Sequence, residues 1–362
     1  MRWKERVLSL TPYQPGKSIE AVKKQFNLDR IVKLASNENP FGCSEQALTA
    51  LQSYPASLAL YPDGYATHLR ETLAAFLQVK EEELILGNGS DNLIQIISRA
   101  LLHPNASTIM ATPTFSQYKH NAVIEGAIIN EIPLINGEHD LNAMLQAIDE
   151  STNVIWVCSP NNPTGTYIPE NKLIPFLEQV PQHILVVLDE AYYEYVVAED
   201  YYDAISLTRK YENLIVLRTF SKIYGLAALR VGYGVANPAI IKALEPVREP
   251  FNVNSLGQLA ASEAIKDQEF VEVCRDKNRQ GLTQFYDFCE QYQLKFYPSQ
   301  TNFILIDSKI DGDEIFQYLQ AKGFIVRSGK ALGFPTAVRI TVGSSEQNEG
   351  VLKALGEFLE AN

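Results

Sequence analysis

Short apolar runs alternate with amphipathic stretches along most of the chain. Runs rich in β-branched residues, among them LILG, STIMAT, NVIWVC, HILVVL and NLIVL, are followed by polar turns and by stretches with the period of a helix. Alternation of this kind predicts βα units on a largely parallel sheet. We therefore expect an α/β protein in which residues 31–249 form a large domain around that sheet.

The pattern changes after Pro250. A long helical stretch over residues 256–292 precedes the strand-like run NFILID, the helix-like run GDEIFQYLQAKG, and the strand-like runs FIVR and AVRITVG. The run SSEQ that begins at Ser344 then matches a capping box at the start of a closing helix. These elements predict a smaller α+β domain over residues 250–362. Residues 1–30 are expected to form an N-terminal arm that packs with this domain or with a partner subunit.

Composition and charge narrow the classes of function. Hydrophobic residues make up 46% of the chain and charged residues 20%, which is ordinary for a globular protein, and no apolar run approaches the ~18 residues of a membrane span. The net charge of −12 disfavours nucleic-acid binding and favours a small-molecule partner. The cysteines show no CxxC spacing and the histidines no HExxH pairing, so no metal site is expected. The opening MRWKERVLSL lacks an apolar signal-peptide core, and we expect a cytoplasmic protein.

Polar residues follow three of the predicted strands. HILVVL is followed by Asp189, NVIWVC by the run SPNNPTG that contains Asn162, and LIVL by the run RTFSK that ends at Lys222. The carboxyl ends of parallel strands share one edge of a sheet, and ligands bind in the crevice there. LILG leads into the glycine-rich turn GNGSD at the start of a predicted helix, where free N–H groups attract an anion. An acid, an amide, a lysine and an anion cradle are therefore expected to converge.

Two nucleotide-binding motifs are incomplete. The turn GNGSDN contains two of the three glycines of the dinucleotide fingerprint, but Asn92 stands at the position of the third. The tripeptide GKS at residues 16–18 resembles the end of a P-loop, but Thr11 stands where that motif requires its first glycine. A dinucleotide-dependent oxidoreductase is therefore disfavoured. A non-catalytic protein that only binds an effector remains an alternative from a different class.

A lysine, a carboxylate and an anion cradle are the groups that pyridoxal 5′-phosphate requires, for its aldehyde, its ring nitrogen and its phosphate respectively. The chain resembles the fold-type I aminotransferases that use this cofactor, and among them the histidinol-phosphate aminotransferase family. The resemblance implies a mostly parallel seven-stranded sheet between helices plus a smaller α+β domain. It covers nearly the whole chain through these motifs, in order: TPYQPG, LASNENPFG, YPDG, GNGSD, PTFSQY, SPNNPTG, LDEAY, SKIYGLAALRVGYG, NFILI, FIVR and VRITVG.

The resemblance also implies a cofactor site. Lys222 is expected to form a Schiff base with the aldehyde and later to move a proton, and Asp189 is expected to hold the ring nitrogen. Asn162 and Tyr192 are expected at the phenolic oxygen of the ring, and Phe115 on the ring face. The remaining expected cofactor residues, most of them at the phosphate, are Ser90, Asp91, Thr219, Ser221, Arg230 and, from the neighbouring subunit of a homodimer, Tyr61.

The same resemblance implies a substrate pocket. Arg339 resembles the arginine that binds the α-carboxylate of glutamate, and Arg327 resembles the one that meets the phosphate of the larger substrate. Tyr13, Asn37 and Asn302 are expected to line the same pocket.

Read without the family, several of these residues have simpler roles. Lys222 and the two arginines would be solvated charges at strand ends, as most lysines and arginines are. Phe115 would be a core residue, and Tyr61 would be a turn tyrosine beside the run PDG. The glycine-rich turn would be an ordinary left-handed turn.

The implied reaction is a ping-pong transfer of an amino group from glutamate to imidazole-acetol phosphate, which forms histidinol phosphate in histidine biosynthesis. Its rivals within the fold are an aromatic amino-acid aminotransferase and a threonine-phosphate decarboxylase. A phosphate-binding Arg327 disfavours the first, whereas Arg339 does not exclude the second. The sequence departs from the commoner family pattern at Asn92 and at the alanines at 227–228, and residues 328–336 match no family pattern. Substrate preference is therefore left open.

Overall fold

The computed structural model describes residues 1–8, 10, 11, 18–54 and 57–362. Its strands are β1 Val32–Lys33, β2 Leu84–Gly87, β3 Ser107–Thr112, β4 Ile128–Pro133, β5 Thr152–Cys158, β6 Leu185–Asp189, β7 Leu214–Thr219, β8 Gly232–Ala236, β9 Lys295–Phe296, β10 Phe303–Asp307, β11 Phe324–Ile325, β12 Arg327–Ser328 and β13 Ala337–Thr341. Its helices are α1 Glu5–Leu8, α2 Ile19–Phe26, α3 Glu45–Gln52, α4 Thr67–Leu77, α5 Ser90–Leu101, α6 Gln117–Glu125, α7 Leu141–Gln146, α8 Glu170–Gln179, α9 Ala204–Lys210, α10 Pro238–Leu244, α11 Ser255–Ala264, α12 Gln268–Gln291, α13 Gly312–Ala321 and α14 Ser345–Ala361. In the described parts of the chain, every helix is too short or too polar to span a lipid bilayer.

A seven-stranded sheet in the order β2-β8-β7-β6-β5-β3-β4 forms the larger part of the molecule. β8 runs antiparallel to β2 and β7, and the other neighbouring strands are parallel. The central strands are apolar throughout because both of their faces are buried. Along β5, Ile155 and Val157 lie in one core while Trp156 lies in the core on the other face. The predicted fold, a mostly parallel sheet between helices, is confirmed.

The direction of the strands determines where their polar ends meet. β3, β5, β6 and β7 are parallel and end at one edge of the sheet. β2 ends at the same edge, because it is antiparallel to β8, which is antiparallel to β7. The glycine-rich turn, the SPNNPTG run, Asp189 and Lys222 all follow or end these strands. Residues far apart in sequence are thereby brought to one place.

A second, four-stranded sheet in the order β12-β13-β10-β9 forms with helices the C-terminal part. Its core contains side chains from the sheet, such as Ile304 and Ile340, and from α12 and α14, such as Phe285 and Leu355. The capping box predicted at Ser344 is present at the start of α14. The predicted α+β character of this part of the chain is therefore observed.

The helical stretch predicted over residues 256–292 forms two helices, α11 and α12. The break falls before Asp267, whose carboxylate accepts a hydrogen bond from the backbone N of Phe270 at 3.2 Å. The other carboxylate oxygen of Asp267 accepts a hydrogen bond of 2.6 Å from Ser44 Oγ. The aspartate thus starts a new helix because its side chain satisfies a backbone N–H at the helix end.

The segments near the predicted domain boundaries contact both parts of the molecule. β1 pairs with β11, with Val32 opposite Phe324, and Leu34 lies in the core of the C-terminal part. In the other direction, Ala260 and Ala261 of α11 lie in a core of the large sheet. The division into residues 1–30, 31–249 and 250–362 stays a prediction.

The N-terminal segment also contacts both parts. Arg6 of α1 donates to the backbone carbonyls of Gly126 and Ala127, just after α6 of the large part. Val22 of α2 lies in a small core with Ile325 of β11. Among the described residues before position 30, those of α1 therefore contact the large part and those of α2 contact the C-terminal part.

Candidate active site

A cavity of about 360 Å³ lies where the carboxyl ends of the large sheet face β13. Asn37 and Arg339, two of the predicted substrate residues, line it. Every predicted cofactor residue except Tyr61 lines it as well, namely Ser90, Asp91, Phe115, Asn162, Asp189, Tyr192, Thr219, Ser221, Lys222 and Arg230. A groove of about 450 Å³ between α7 and α8 contains none of the predicted site residues. The predicted site residues and this cavity therefore lie together at one edge of the large sheet.

Lys222 lies just beyond β7, in the cavity wall. Its Nζ is 5.5 Å from the centre of the Tyr192 ring. Burial, together with the positive charge of Arg339, lowers the pKa of Lys222 to about 8. A larger fraction of this amine is therefore neutral near pH 7 than of an ordinary lysine, as a nucleophile or a base requires.

Asp189 ends β6 and is almost fully buried. Burial raises the pKa of Asp189 to about 6, although two hydrogen bonds favour its charged form. Tyr118 Oη donates to Oδ2 at 2.7 Å, and the backbone N of Ala191 donates to Oδ1 at 3.2 Å. A carboxylate in so dry a wall is well suited to a cationic ring nitrogen.

Tyr118 is a site residue that sequence reasoning missed. Its ring is fully buried, stacks on Trp156 with the ring centres 4.9 Å apart, and meets Phe115 edge-on at 5.6 Å. It stands three residues after Phe115 in the motif PTFSQY, in which only the phenylalanine is predicted to be a site residue. The available signal was chemical, because a buried tyrosine needs a partner for its hydroxyl.

The anion cradle lies at the first turn of α5. Gly89 caps this helix with a φ of 79° and no side chain, and a Cβ added there would lie 2.6 Å from Nη2 of Arg230. Arg230 in turn donates to Ser221 Oγ at 3.2 Å, and its Nη2 lies 3.6 Å from Asp91 Oδ2. The helix N–H groups and the guanidinium together offer donors for a phosphate group.

A polar network joins this site to β13. Asn162 Oδ1 accepts a hydrogen bond of 2.6 Å from Nη1 of Arg339, whose Nη2 donates to the carbonyl of Ala35 at 2.8 Å. The amide nitrogen of Asn162 also approaches Tyr192 Oη at 3.5 Å. Asn162 therefore contacts both the arginine and the tyrosine of the cavity wall.

Comparison with known proteins agrees with this arrangement, since the family model for class I and II aminotransferases matches residues 29–355. The chain belongs to the class I and II aminotransferases. It is 63% identical to a histidinol-phosphate aminotransferase of Bacillus licheniformis over 357 residues, which cover 98% of this chain and 99% of that protein. It is 61% identical to the enzyme of that name from Bacillus subtilis over 360 residues, which cover 99% and 100% of the two chains.

Among solved structures, the chain is similar to histidinol-phosphate aminotransferase from Sinorhizobium meliloti in complex with pyridoxal 5′-phosphate. The TM-score is 0.90 at 25% sequence identity, and the match covers 99% of this chain and 98% of that one. This aminotransferase uses pyridoxal phosphate, as its family does. Its cavity fits that cofactor, because an amine of lowered pKa, a dry carboxylate and a glycine-bounded anion cradle all line it.

Arg327 and Asn302, also predicted to bind the substrate, lie beside residues of the cavity wall but do not line the cavity. Arg327 of β12 stands directly opposite Arg339 of β13 in the antiparallel register. Asn302 is buried, and its amide nitrogen donates to the carbonyl of Asn37 at 2.9 Å. It thus supports a wall residue through the backbone.

Tyr61 is on the surface of the chain, with 82% of its area exposed. Its ring stacks on Phe251 at 4.7 Å, outside the cavity. Tyr13 lies outside the described residues. Within one chain, therefore, Tyr61 is separate from the residues that it was predicted to join.

Asn92, where the sequence departs from the commoner family pattern, lies next to the anion cradle and outside the cavity wall. Asn92 Oδ1 accepts from the backbone N of Asn88 at 3.1 Å and from Asn252 at 3.0 Å, while its nitrogen donates to Glu249 at 3.2 Å. The amide both donates and accepts here, which a carboxylate cannot do. The asparagine at this position therefore serves to hydrogen-bond Glu249 and Asn252, and it adds no group to the cavity.

Proposed function

We propose that this aminotransferase exchanges an amino group between L-glutamate and imidazole-acetol phosphate, by a ping-pong reaction that forms L-histidinol phosphate in histidine biosynthesis. The observation that carries the proposal is the pairing of Arg327 with Arg339 on adjacent strands beside the Lys222 cavity. Relatives that bear the name of this activity, at 61% and 63% identity over nearly the full length, support it. The cytoplasmic location expected from the sequence stays a prediction.

The paired arginines suit substrates that carry an anion near the reacting amine. Like charges directly opposite each other on antiparallel strands repel, and an anion bound between or beside them offsets this cost. Glutamate carries its α-carboxylate near the reacting amine, and histidinol phosphate carries a phosphate near its own. We assign the carboxylate of glutamate to Arg339, which lines the cavity, and the phosphate of the larger substrate to Arg327.

Pyridoxal phosphate supplies, when bound, an aldehyde and an electron-accepting ring. In the proposal, Asp189 holds the proton of the ring nitrogen, and Asn162 and Tyr192 face the phenolic oxygen. Phe115 covers the ring face. The residues proposed to bind the phosphate or its surroundings are Ser90, Asp91, Thr219, Ser221 and Arg230.

Lys222 is the proposed base. Because its pKa is lowered to about 8, a usable fraction of Nζ is neutral near pH 7 and can accept a proton from the α-carbon of the amino donor. Within the same half-reaction Nζ would pass this proton to the C4′ carbon of the cofactor, and in the other half-reaction it would move a proton in the opposite direction, to the α-carbon of the amino acceptor. Asn162 holds Arg339 in place at 2.6 Å, which would orient the carboxylate of the donor relative to this amine.

A homodimer with shared sites is also proposed. Tyr61 lies in an exposed patch with Leu58, Leu60 and Phe251. Exposed apolar patches of this kind mark interaction surfaces. A partner subunit covering the patch would bring Tyr61 to the phosphate cradle of that partner, as the resemblance implies.

The substrate assignment is tested with the purified, cofactor-loaded enzyme. Histidinol phosphate and 2-oxoglutarate should yield glutamate, and Lys222→Ala should abolish the reaction. Arg327→Leu should raise KM for histidinol phosphate by roughly 10-fold or more, because a charge-assisted contact to phosphate is lost, and should change KM for glutamate much less.

Each rival activity gives a different result. An aromatic amino-acid aminotransferase would use phenylalanine at least as well as histidinol phosphate, and Arg327→Leu would leave its KM for phenylalanine unchanged. A decarboxylase would release CO₂ from threonine phosphate without consuming 2-oxoglutarate. A binding protein without catalysis would take up the cofactor and exchange no amino group at all.

A further inference from the structure

Asn37 occupies an unusual position in the cavity wall. It follows β1 with a φ of 56°, in the left-handed region that asparagine adopts more readily than most residues, and only 2% of its area is exposed. Its amide nitrogen donates to Tyr192 Oη at 2.9 Å. The backbone carbonyl of Asn37 accepts a hydrogen bond of 2.9 Å from the amide nitrogen of Asn302. A polar side chain is thus held in one orientation by both backbone and neighbours.

Thr341 of β13 determines which way the Asn37 amide points. The backbone N of Asn37 donates to Thr341 Oγ1 at 3.0 Å, and the threonine hydroxyl donates to Asn37 Oδ1 at 3.1 Å. If the amide were reversed, the hydroxyl would face two donors and its own proton would lose this acceptor. The arrangement therefore directs the NH₂ group of Asn37, which can only donate, at Tyr192.

The oxygen of Tyr192 consequently acts as an acceptor on the side that faces Asn37. The amide nitrogen of Asn162 is a second donor to it, at 3.5 Å. Burial raises the pKa of Tyr192, so the phenol keeps its proton near pH 7. Because Asn37 and Asn162 both offer donors to this oxygen, the phenol proton points away from them. Tyr192 lines the cavity, which is open to that proton.

We propose that Asn37 is a positioning residue that, locked by Thr341, aims the proton of Tyr192 into the cavity toward an anionic oxygen of the bound cofactor ring. The inference rests on the proposed role of Tyr192 at that oxygen. A ring oxygen that already receives this hydrogen bond holds any other proton less tightly. Acting through the Tyr192 hydroxyl, Asn37 would thereby lower the pH at which the bound cofactor loses a proton.

The test is the pH midpoint of the visible absorbance change of the holoenzyme. Asn37→Gly is the primary variant, because glycine accepts the positive φ and keeps both backbone hydrogen bonds while it removes the donor. The midpoint should rise by roughly half to one pH unit, since a hydrogen bond to a charged group is worth about one unit of pKa. Thr341→Val should shift it in the same direction, and Thr341→Ser, which keeps the hydroxyl, should not.

A double-variant comparison separates positioning from structural support. In the Tyr192→Phe background, Asn37→Gly should cause no further shift, because the hydroxyl through which it acts is gone. An unchanged midpoint in Asn37→Gly, or the same shift with and without the Tyr192 hydroxyl, overturns the inference. If Tyr192→Phe alone leaves the midpoint unchanged, the proposed role of Tyr192 fails as well.

Discussion

Burial shifts the two central titrating residues in opposite directions. It lowers the pKa of Lys222 to about 8 and raises the pKa of Asp189 to about 6, so each group is less charged near neutral pH than its ordinary counterpart. The short hydrogen bond of Asp189 comes from Tyr118 rather than from Lys222. Lys222 acts on Asp189 only through its charge, which favours the carboxylate form and opposes the effect of burial.

At the residue scale, Tyr118→Phe should make cofactor binding more dependent on pH. In the proposed site, the cationic ring nitrogen of the cofactor requires Asp189 as a carboxylate, so affinity for the cofactor should fall as pH drops through the raised pKa near 6. Removing the donated hydrogen bond should raise that pKa by about one unit, which weakens cofactor binding about fivefold at pH 6 and little at pH 8. Equilibrium dialysis of pyridoxal phosphate across this range measures the effect.

Tyr167→Phe is the matched control, because Tyr167 donates a hydrogen bond of 2.6 Å to Asp200 on the surface. It should leave the pH profile of cofactor binding unchanged. A loss of affinity in Tyr118→Phe that is equal at pH 6 and pH 8 would mean that the hydroxyl does not act through the ionisation of Asp189.

At the scale of elements, the sequence predicts those strands and helices whose burial pattern is set by neighbouring residues in the chain. The strands of the large sheet were readable because residues such as Trp156 and Val157 on successive positions are both buried, which produces continuous apolar runs. The break between α11 and α12 was not readable, because Asp267 is held by Ser44, which lies far away in sequence. The pairing of β1 with β11 depends likewise on a contact between distant segments.

Asp267→Ala should therefore destabilise the protein at the start of α12. The variant removes the cap on the backbone N of Phe270 and leaves the fully buried Ser44 hydroxyl without this acceptor. Loss of a cap and of one buried hydrogen bond together should lower the free energy of unfolding by about 2 kcal/mol. Urea unfolding followed by circular dichroism measures the change.

Two further variants isolate the cause. Asp267→Asn keeps an oxygen that can cap the helix and should lose less than half as much stability. Asp287→Ala, at an exposed position within the same helix, should change the free energy of unfolding by less than about 0.5 kcal/mol. Equal losses in the three variants would exclude a capping effect.

At the scale of the whole molecule, the site is assembled from both sheets. The large sheet contributes Asn162, Asp189 and Lys222 at or just after the ends of its strands, and their convergence could be predicted from the sequence because the direction of the strands brings them together. The links from Asn162 to Arg339 and from Asn37 to Thr341 could not, because they depend on how the C-terminal part packs against the sheet edge. The role of Tyr61 depends on a second chain and stays a prediction.

The proposed dimer can be tested by mixing two inactive variants. If Tyr61 acts in the site of its partner, a dimer of one Lys222→Ala chain and one Tyr61→Ala chain has one site with both residues intact. Random reassembly of equal amounts should then restore about a quarter of the wild-type activity. Sites confined to single chains would restore none, because every site would lack one residue. Sedimentation of the mixture at the mass of a dimer is the control for reassembly.

The stability of the whole chain should fall below neutral pH because of His139. This side chain is buried, its Nε2 has no hydrogen-bond partner among the described residues, and burial lowers its pKa to about 4. In the unfolded chain the imidazole binds a proton near its ordinary value of 6.5. The unfolded state therefore binds more protons between these two values, and the free energy of unfolding decreases as pH falls from 6.5 toward 4.

From these two values, His139 alone should account for about 2 kcal/mol of lost stability between pH 7.5 and pH 5. His139→Leu should reduce the difference between urea unfolding free energies measured at these two pH values by that amount. The exposed His183, changed to leucine, should leave the difference as it is in the wild type. If His139→Leu retains the full pH dependence, the buried imidazole must be protonated in the folded state, and the acid sensitivity must come from other groups.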